Sequence, residues 1–287
     1  MGALANENAK TLVVGDMHLK EELVLPRVDA AMQALGAERV VLCGDYVDEW
    51  HSSTLTMYDA LDCLSIWVKA RRRRGLVVDL VLGNHDAQYL LREPGPGTHT
   101  KLYDAVADVL TKLGAQAAAA VDGSLVTHAG VTMAWAEANL DCTKGFDADD
   151  LCRQLNALLD DGGKRGLNTL AQAGPGRGGV ELPGPLWADQ SELWSDPLPG
   201  VTQIVGHTPV ESVELYQIPQ KETLHTSCRL VFCDTMSLTS NLMPIGDGSM
   251  LLVDGKSVRA VTAEDLGLDP WPIAIFEWMD TSVLPFL

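Results

Sequence analysis

The chain has 287 residues, 46% of them hydrophobic and 21% charged, the make-up of an ordinary globular protein with a substantial core. Its formal net charge of -18 works against stable nucleic-acid binding and against anionic membranes, both of which rest on Lys and Arg neutralising phosphates. The N-terminal MGALANENAK lacks the pattern of a signal peptide, and no apolar run is long enough for a membrane span, so a cytoplasmic location is expected.

Taken in chain order, TLVVGD, RVVLCGD and LVVDLVLGNHD are β-rich apolar runs separated by amphipathic stretches, the pattern of β-α-β units on a buried sheet. Pro26 opens and Gly36 closes a first helix. A second is expected from about Thr54 to Arg74 and a third over KLYDAVADVLTKLG, after the Pro/Gly-rich loop EPGPGTHT. AQAAAAVDGSLVTHAG reads as two short strands around an Asp122-Gly123 turn. Residues 131–200 change to helical patches such as DADDLCRQLNALLDDG and a Gly/Pro-rich stretch, and are read as a helical cap or lid inserted into a single domain spanning 1–287. TQIVGHTP, SVELYQI, RLVFCDTM and the Asp254-Gly255 hairpin then predict a second sheet. The apolar tail from about 269 to 287 is expected to dock on the body or on a second copy in a homo-oligomer. Six cysteines with no C-x-x-C pair are read as reduced thiols.

Three successive strands end in Gly-Asp or Gly-Asn: Gly15-Asp16-Met17-His18, Gly44-Asp45-Tyr46-Val47-Asp48 and Gly83-Asn84-His85-Asp86. Two later strands end at His128 and His207. One Gly-Asp after a strand is usually a turn, and one His is usually a core residue. Five such sites in order instead gather ligand-type side chains at one sheet edge, where open α/β sheets place their sites. Carboxylate, imidazole and amide oxygen together suit Mn, Fe or Zn rather than Mg or Ca.

In these motifs the chain resembles the calcineurin-like metallophosphoesterases, and among them the phosphoprotein phosphatases and symmetrical diadenosine tetraphosphatases, over about residues 11 to 240. The resemblance implies an α/β fold, a four-layer α/β/β/α sandwich. It also implies two divalent metal ions, with Mn expected to support activity in vitro. One ion would be held by Asp16, His18 and Asp45, the other by Asp45, Asn84, His128 and His207. Pro209 stands where many relatives carry a further histidine ligand. The implied chemistry is in-line attack on phosphorus by a metal-bridging hydroxide, with His85 as general acid oriented by Asp48.

Both related branches usually follow the second motif with Arg-Gly, and that arginine grips phosphate; this chain has Glu49 and Trp50. A carboxylate there repels phosphate unless it turns away or pairs with a cation. Arg177, Lys20 and Arg92 are the candidate replacements, and Trp50, Trp187 and Trp194 are candidate pocket walls. Asp234 is a candidate support for His207, and His51 lies close enough to the second motif to reach the site. The expected activity is that of a phosphomonoesterase acting on a phosphoprotein or a small phosphorylated metabolite. A nucleotide pyrophosphohydrolase is the enzymatic alternative, and a metal-stabilised scaffold without catalysis is the other.

Overall fold

The computed structural model describes residues 9–219 and 227–271. The expected docking of the apolar tail lies outside these residues beyond Trp271, as does His225. The first half alternates β1 (Thr11–Val14), α1 (Glu21–Leu35), β2 (Arg39–Leu42), α2 (Thr54–Arg73), β3 (Val77–Leu80), α3 (Asn84–Leu91) and α4 (Tyr103–Leu113). Then come β4 (Ala119–Val121), β5 (Ser124–Thr127), α5 (Met133–Asn139), α6 (Ala148–Leu170) and α7 (Gln190–Ser195). The chain continues through β6 (Thr202–Pro209), β7 (Glu214–Ile218), β8 (Cys228–Asp234), β9 (Met250–Asp254), β10 (Ser257–Val261) and α8 (Ala263–Leu266).

Two five-stranded sheets result, ordered β10-β9-β1-β2-β3 and β4-β5-β6-β8-β7. β1, β2 and β3 run parallel, as do β5, β6 and β8. Strand alternation explains how they stack. Val13 and Val41 face inward and pack with Val126, Ile204 and Val231 of the second sheet, whereas Leu12, Val14, Val40 and Leu42 join the helical residues Val24, Val28 and Leu64. The outer face of the second sheet, through Val205, Leu230 and Phe232, is covered by Ala188 and Leu193. Helices, sheet, sheet and helical segments form the expected α/β/β/α sandwich, and the parallel strands of both sheets end at the same edge.

Three features differ from the sequence reading. α1 begins five residues before Pro26, which lies inside the helix; burial of Val24 and Leu25 along with Val28 and Ala31 carries the apolar stripe back a full turn. Gly36 does close the helix, in the left-handed conformation. α3 was hidden within the third motif and starts on Asn84 itself, with the Asp86 carboxylate accepting the Gly83 amide at 2.8 Å. The Asp254-Gly255 hairpin belongs to the first sheet rather than the second, because β9 pairs antiparallel with β1. Among the described residues no helix is long and apolar enough to cross a membrane.

Candidate metal centre

Each ligand-type residue sits where a strand gives out, and several hold backbone conformations that L-residues rarely adopt. φ is +43° at His18, +51° at Asp45, +63° at Asp48 and +63° at His207. Such angles cost of order 1–3 kcal/mol each, and their clustering marks a site that the surrounding fold over-determines. Two glycines leave room for the carboxylates: a Cβ on Gly206 would collide with Asp16 Oδ1, and one on Gly83 with Asp45 Oδ1.

Two groups of converging side chains form here, Asp16-His18-Asp45 and Asp45-His128-His207, and Asp45 belongs to both. Asn84 completes the second, its Oδ1 standing 2.9 Å from His128 Nε2. The tautomers are fixed from outside. His128 Nδ1 donates to the Cys43 carbonyl at 2.8 Å, and His18 Nδ1 to the Asp48 carbonyl at 2.8 Å. Burial pushes both imidazoles toward the neutral form. Their Nε2 lone pairs therefore point inward at other acceptors: His128 Nε2 is 3.5 Å from Asp45 Oδ2, and His18 Nε2 is 3.6 Å from the same atom. His207 Nε2 is buried without a hydrogen-bond partner among the described residues, and burial beside His128 drives that imidazole well below its usual pKa. Burial, and then the neighbouring Asp234 and Asp45, hold the Asp16 carboxyl well above its ordinary value. The His207 amide reaches Asp16 at 3.1 Å and His207 Nδ1 stands 3.1 Å from His128 Nε2, but the remaining lone pairs and carboxylates that converge here repel one another, and cations in their midst relieve the repulsion. The residues thus fit two divalent ions with mixed nitrogen and oxygen donors.

Around this floor the Asp45 carboxylate also accepts the His85 amide at 2.9 Å, and Asp86 accepts the Asp45 and Tyr46 amides at 2.8 and 3.1 Å. Burial alone raises the Asp45 pKa, but the nearby His128, His85 and His18 bring it below the ordinary value. His85 Nδ1 lies 3.1 Å from Asp48 Oδ2, while Asp48 Oδ1 accepts from the Tyr89 hydroxyl. Burial disfavours the charged His85 ring, yet Asp45 and the hydrogen-bonded Asp48 outweigh it and push the pKa up to about 9.

A cavity of about 460 Å³ opens above the centre, lined by His18, Asp45, Asp48, Asn84, His85 and His207 together with Glu49, Trp50, Arg177 and Trp187. Arg177 reaches it from the 131–200 segment, its Nη2 donating to Thr208 Oγ1 at 2.7 Å and its Nε 3.1 Å from Asp189 Oδ2. Three sequence candidates are corrected. The Lys20 side chain is fully buried and its ammonium is spent on Glu49 Oε2 at 2.6 Å and the His18 carbonyl at 3.0 Å, so it answers the carboxylate at Glu49 instead of binding phosphate. Arg92 pairs with Asp104 on the exposed surface, away from the cavity. Trp194 meets Tyr216 edge-on with ring centroids 4.5 Å apart and does not line the cavity. His51 is bonded to the Ser240 carbonyl, and Asp234 accepts from Ser237 Oγ beneath Asp16 without touching His207. Tyr89 and Asp86 were missed; the only signal for Asp86 was its place three residues after Gly83, the spacing of a helix cap.

The family model for calcineurin-like phosphoesterases matches residues 9–232. The chain belongs to that family. It is a metal-dependent phosphoesterase, a hydrolase. Its fold is similar to that of the cold-active protein-tyrosine phosphatase of a psychrophilic Shewanella species, with TM-score 0.53 and 16% identity over 92% of this chain and 80% of that one. A further structure of a cold-active protein tyrosine phosphatase gives TM-score 0.54 and 18% identity over 91% of this chain and 78% of that one. No curated protein sequence matches the chain.

Proposed function

We propose that the chain is a phosphomonoesterase that binds two divalent ions and acts on a phosphoprotein or a small phosphorylated metabolite. The observation that carries this reading is the Asp45 carboxylate shared by two ligand groups, with the His85–Asp48 pair beside it in one cavity. Asp16, His18 and Asp45 would hold one ion, and Asp45, Asn84, His128 and His207 the other. Bound there, the ions supply Lewis-acid activation of water and neutralise charge on the phosphoryl oxygens.

The chain's own residues do the rest. Asp48 engages His85 Nδ1, and this directs the opposite ring nitrogen to deliver a proton to the departing ester oxygen. Tyr89 fixes Asp48 from behind. Arg177 takes the role of the missing arginine: its guanidinium is tethered by Asp189 and Thr208 at the cavity wall, and its charge reaches both His128 and His207. Residues 131–200 act as a cap that delivers Arg177 and Trp187 to the mouth.

The test is a panel of p-nitrophenyl phosphate, bis-p-nitrophenyl phosphate, dinucleoside polyphosphates and phosphopeptides, assayed with added Mn. The monoester is expected to be hydrolysed well ahead of the diester and the dinucleotides. Preference for the dinucleoside polyphosphates would replace this reading with pyrophosphohydrolysis. Failure on every substrate with metals restored would favour a scaffold.

A further inference from the structure

A second cavity, of about 560 Å³, adjoins the one over the metal centre, and the two share Asn84, Pro96 and Trp187 as walls. One side is α3, through Ala87, Gln88 and Leu91. The other is the end of α6 and the turn after it, through Arg165, Asn168, Thr169 and Gln172. The dinuclear chemistry uses none of these residues except Asn84.

The polar groups here are arranged rather than scattered. Trp135 Nε1, which can only donate, bonds Gln172 Oε1 at 2.9 Å and so fixes the carboxamide with its Nε2 turned away. Thr98 Oγ1 receives the Gly95 amide at 3.0 Å and donates to Gln88 Oε1, which fixes that carboxamide in the same sense. Both amide oxygens are spent on the protein, and both NH2 groups have no partner among the described residues. Arg165 adds a guanidinium that forms no ion pair among them, whereas the Glu93 carboxylate at the rim is held by Lys164 at 3.3 Å. Trp187 supplies an aromatic wall whose ring meets His207 edge-on, with centroids 5.7 Å apart. No strand of either sheet lines the cavity, so it offers no edge along which a peptide backbone could add.

We propose that this cavity is the subsite for the part of the substrate beyond the ester oxygen, and that it takes a sugar or polyol. Carboxamide and guanidinium donors meet hydroxyl and ring oxygens, and the indole wall packs against the C–H face. This rests on the phosphomonoesterase reading and narrows it to phosphorylated sugars and polyols, away from phosphoproteins.

The metal-restored enzyme is assayed on hexose and pentose monophosphates, a phosphoserine peptide and p-nitrophenyl phosphate. Two variants accompany it. Gln172→Glu keeps an acceptor for the Trp135 indole while removing the donors, and Asn168→Trp fills the cavity from an exposed helical position that makes no core contact. Wild-type kcat/KM should favour a sugar phosphate over the peptide. In each variant the ratio of sugar-phosphate to p-nitrophenyl phosphate kcat/KM should fall by roughly tenfold or more, the effect of losing one or two hydrogen bonds to a bound substrate. Preference for the peptide, or an unchanged ratio in both variants, overturns the subsite while leaving the phosphomonoesterase reading intact. A wild type that fails on p-nitrophenyl phosphate as well overturns both.

Discussion

The floor of the site and its mouth are built on different terms. The floor takes side chains from the ends of β1, β2, β5 and β6 and from the first residue of α3, and most of them are buried. Their orientations are fixed by main-chain carbonyls of the loop that follows β2 and by an amide in the first turn of α3. The mouth takes Arg177, Trp50 and Trp187 from loops, with Trp50 52% exposed and Arg177 tethered only by two side chains. Strand ends can hold donors to a fraction of an ångström, which two-ion chemistry demands, whereas a loop can supply a guanidinium from any of several positions. On the proposed reading, loop-borne Arg177 stands in for the arginine that the resemblance implies where this chain carries Glu49.

The contrast can be tested by disturbing each part in turn. His85→Ala, at the junction of floor and mouth, should lower kcat by roughly a hundred- to ten-thousandfold, the contribution of a positioned general acid. Rates with an activated p-nitrophenolate leaving group should fall less than those with an alkyl phosphate, because the activated group needs less protonation. Arg177→Ala should act mainly on kcat/KM, lowering it about ten- to a hundredfold as expected for a charge-assisted contact, and Arg177→Lys should recover only part. Steady-state kinetics that left kcat/KM unchanged would remove Arg177 from the mouth.

Two further variants separate buried charge that serves the fold from buried charge that serves chemistry. Glu49→Ala strands the buried Lys20 ammonium and should cost about 3–5 kcal/mol in denaturant unfolding, with no gain in phosphate affinity. Glu21, fully buried with neither carboxylate oxygen bonded to another side chain among the described residues, lies outside both ligand groups. Burial pushes its pKa from an ordinary 4.5 up to about 8. The folded state therefore binds its proton more tightly than the unfolded state. Its ionisation costs nothing below the ordinary value, an increasing amount as pH rises through that window, and the full amount above it. Glu21→Gln should stabilise the protein by on the order of a few kcal/mol at pH 8, and the gain should vanish near pH 4. Activity at neutral pH should stay as in the wild type.

The floor was legible in the sequence because a strand followed by glycine and a ligand fixes both place and direction. Asp16, Asp45, Asn84 and His207 each follow that pattern, His128 ends its strand without the glycine, and the structure brings the five together. α4, expected over KLYDAVADVLTKLG, and the Asp122-Gly123 turn were legible for the same reason, as local signals with local consequences. What escaped depended on distant partners. Lys20 looked free because Glu49 lies twenty-nine positions away, and a surface role was the default for a lone lysine. Arg92 looked near the third motif, but it closes α3 in the left-handed conformation itself and pairs outward with Asp104. The hairpin of β9 and β10 carried a clear turn signal, yet nothing local says which sheet its outer partner belongs to. The pinning of the Gln88 and Gln172 carboxamides likewise depends on Thr98 and Trp135, which no spacing rule connects to them.

The most direct test of the central claim, two ions sharing Asp45, is the metal content of the protein after removal and controlled return of divalent ions, read alongside turnover of p-nitrophenyl phosphate. Two ions per chain are expected in the wild type, with turnover that appears only as the second is loaded, and in Asp45→Asn both fewer bound ions and a loss of rate of about a thousandfold or more. Full turnover by a protein holding one ion or none, or by Asp45→Asn, would contradict it.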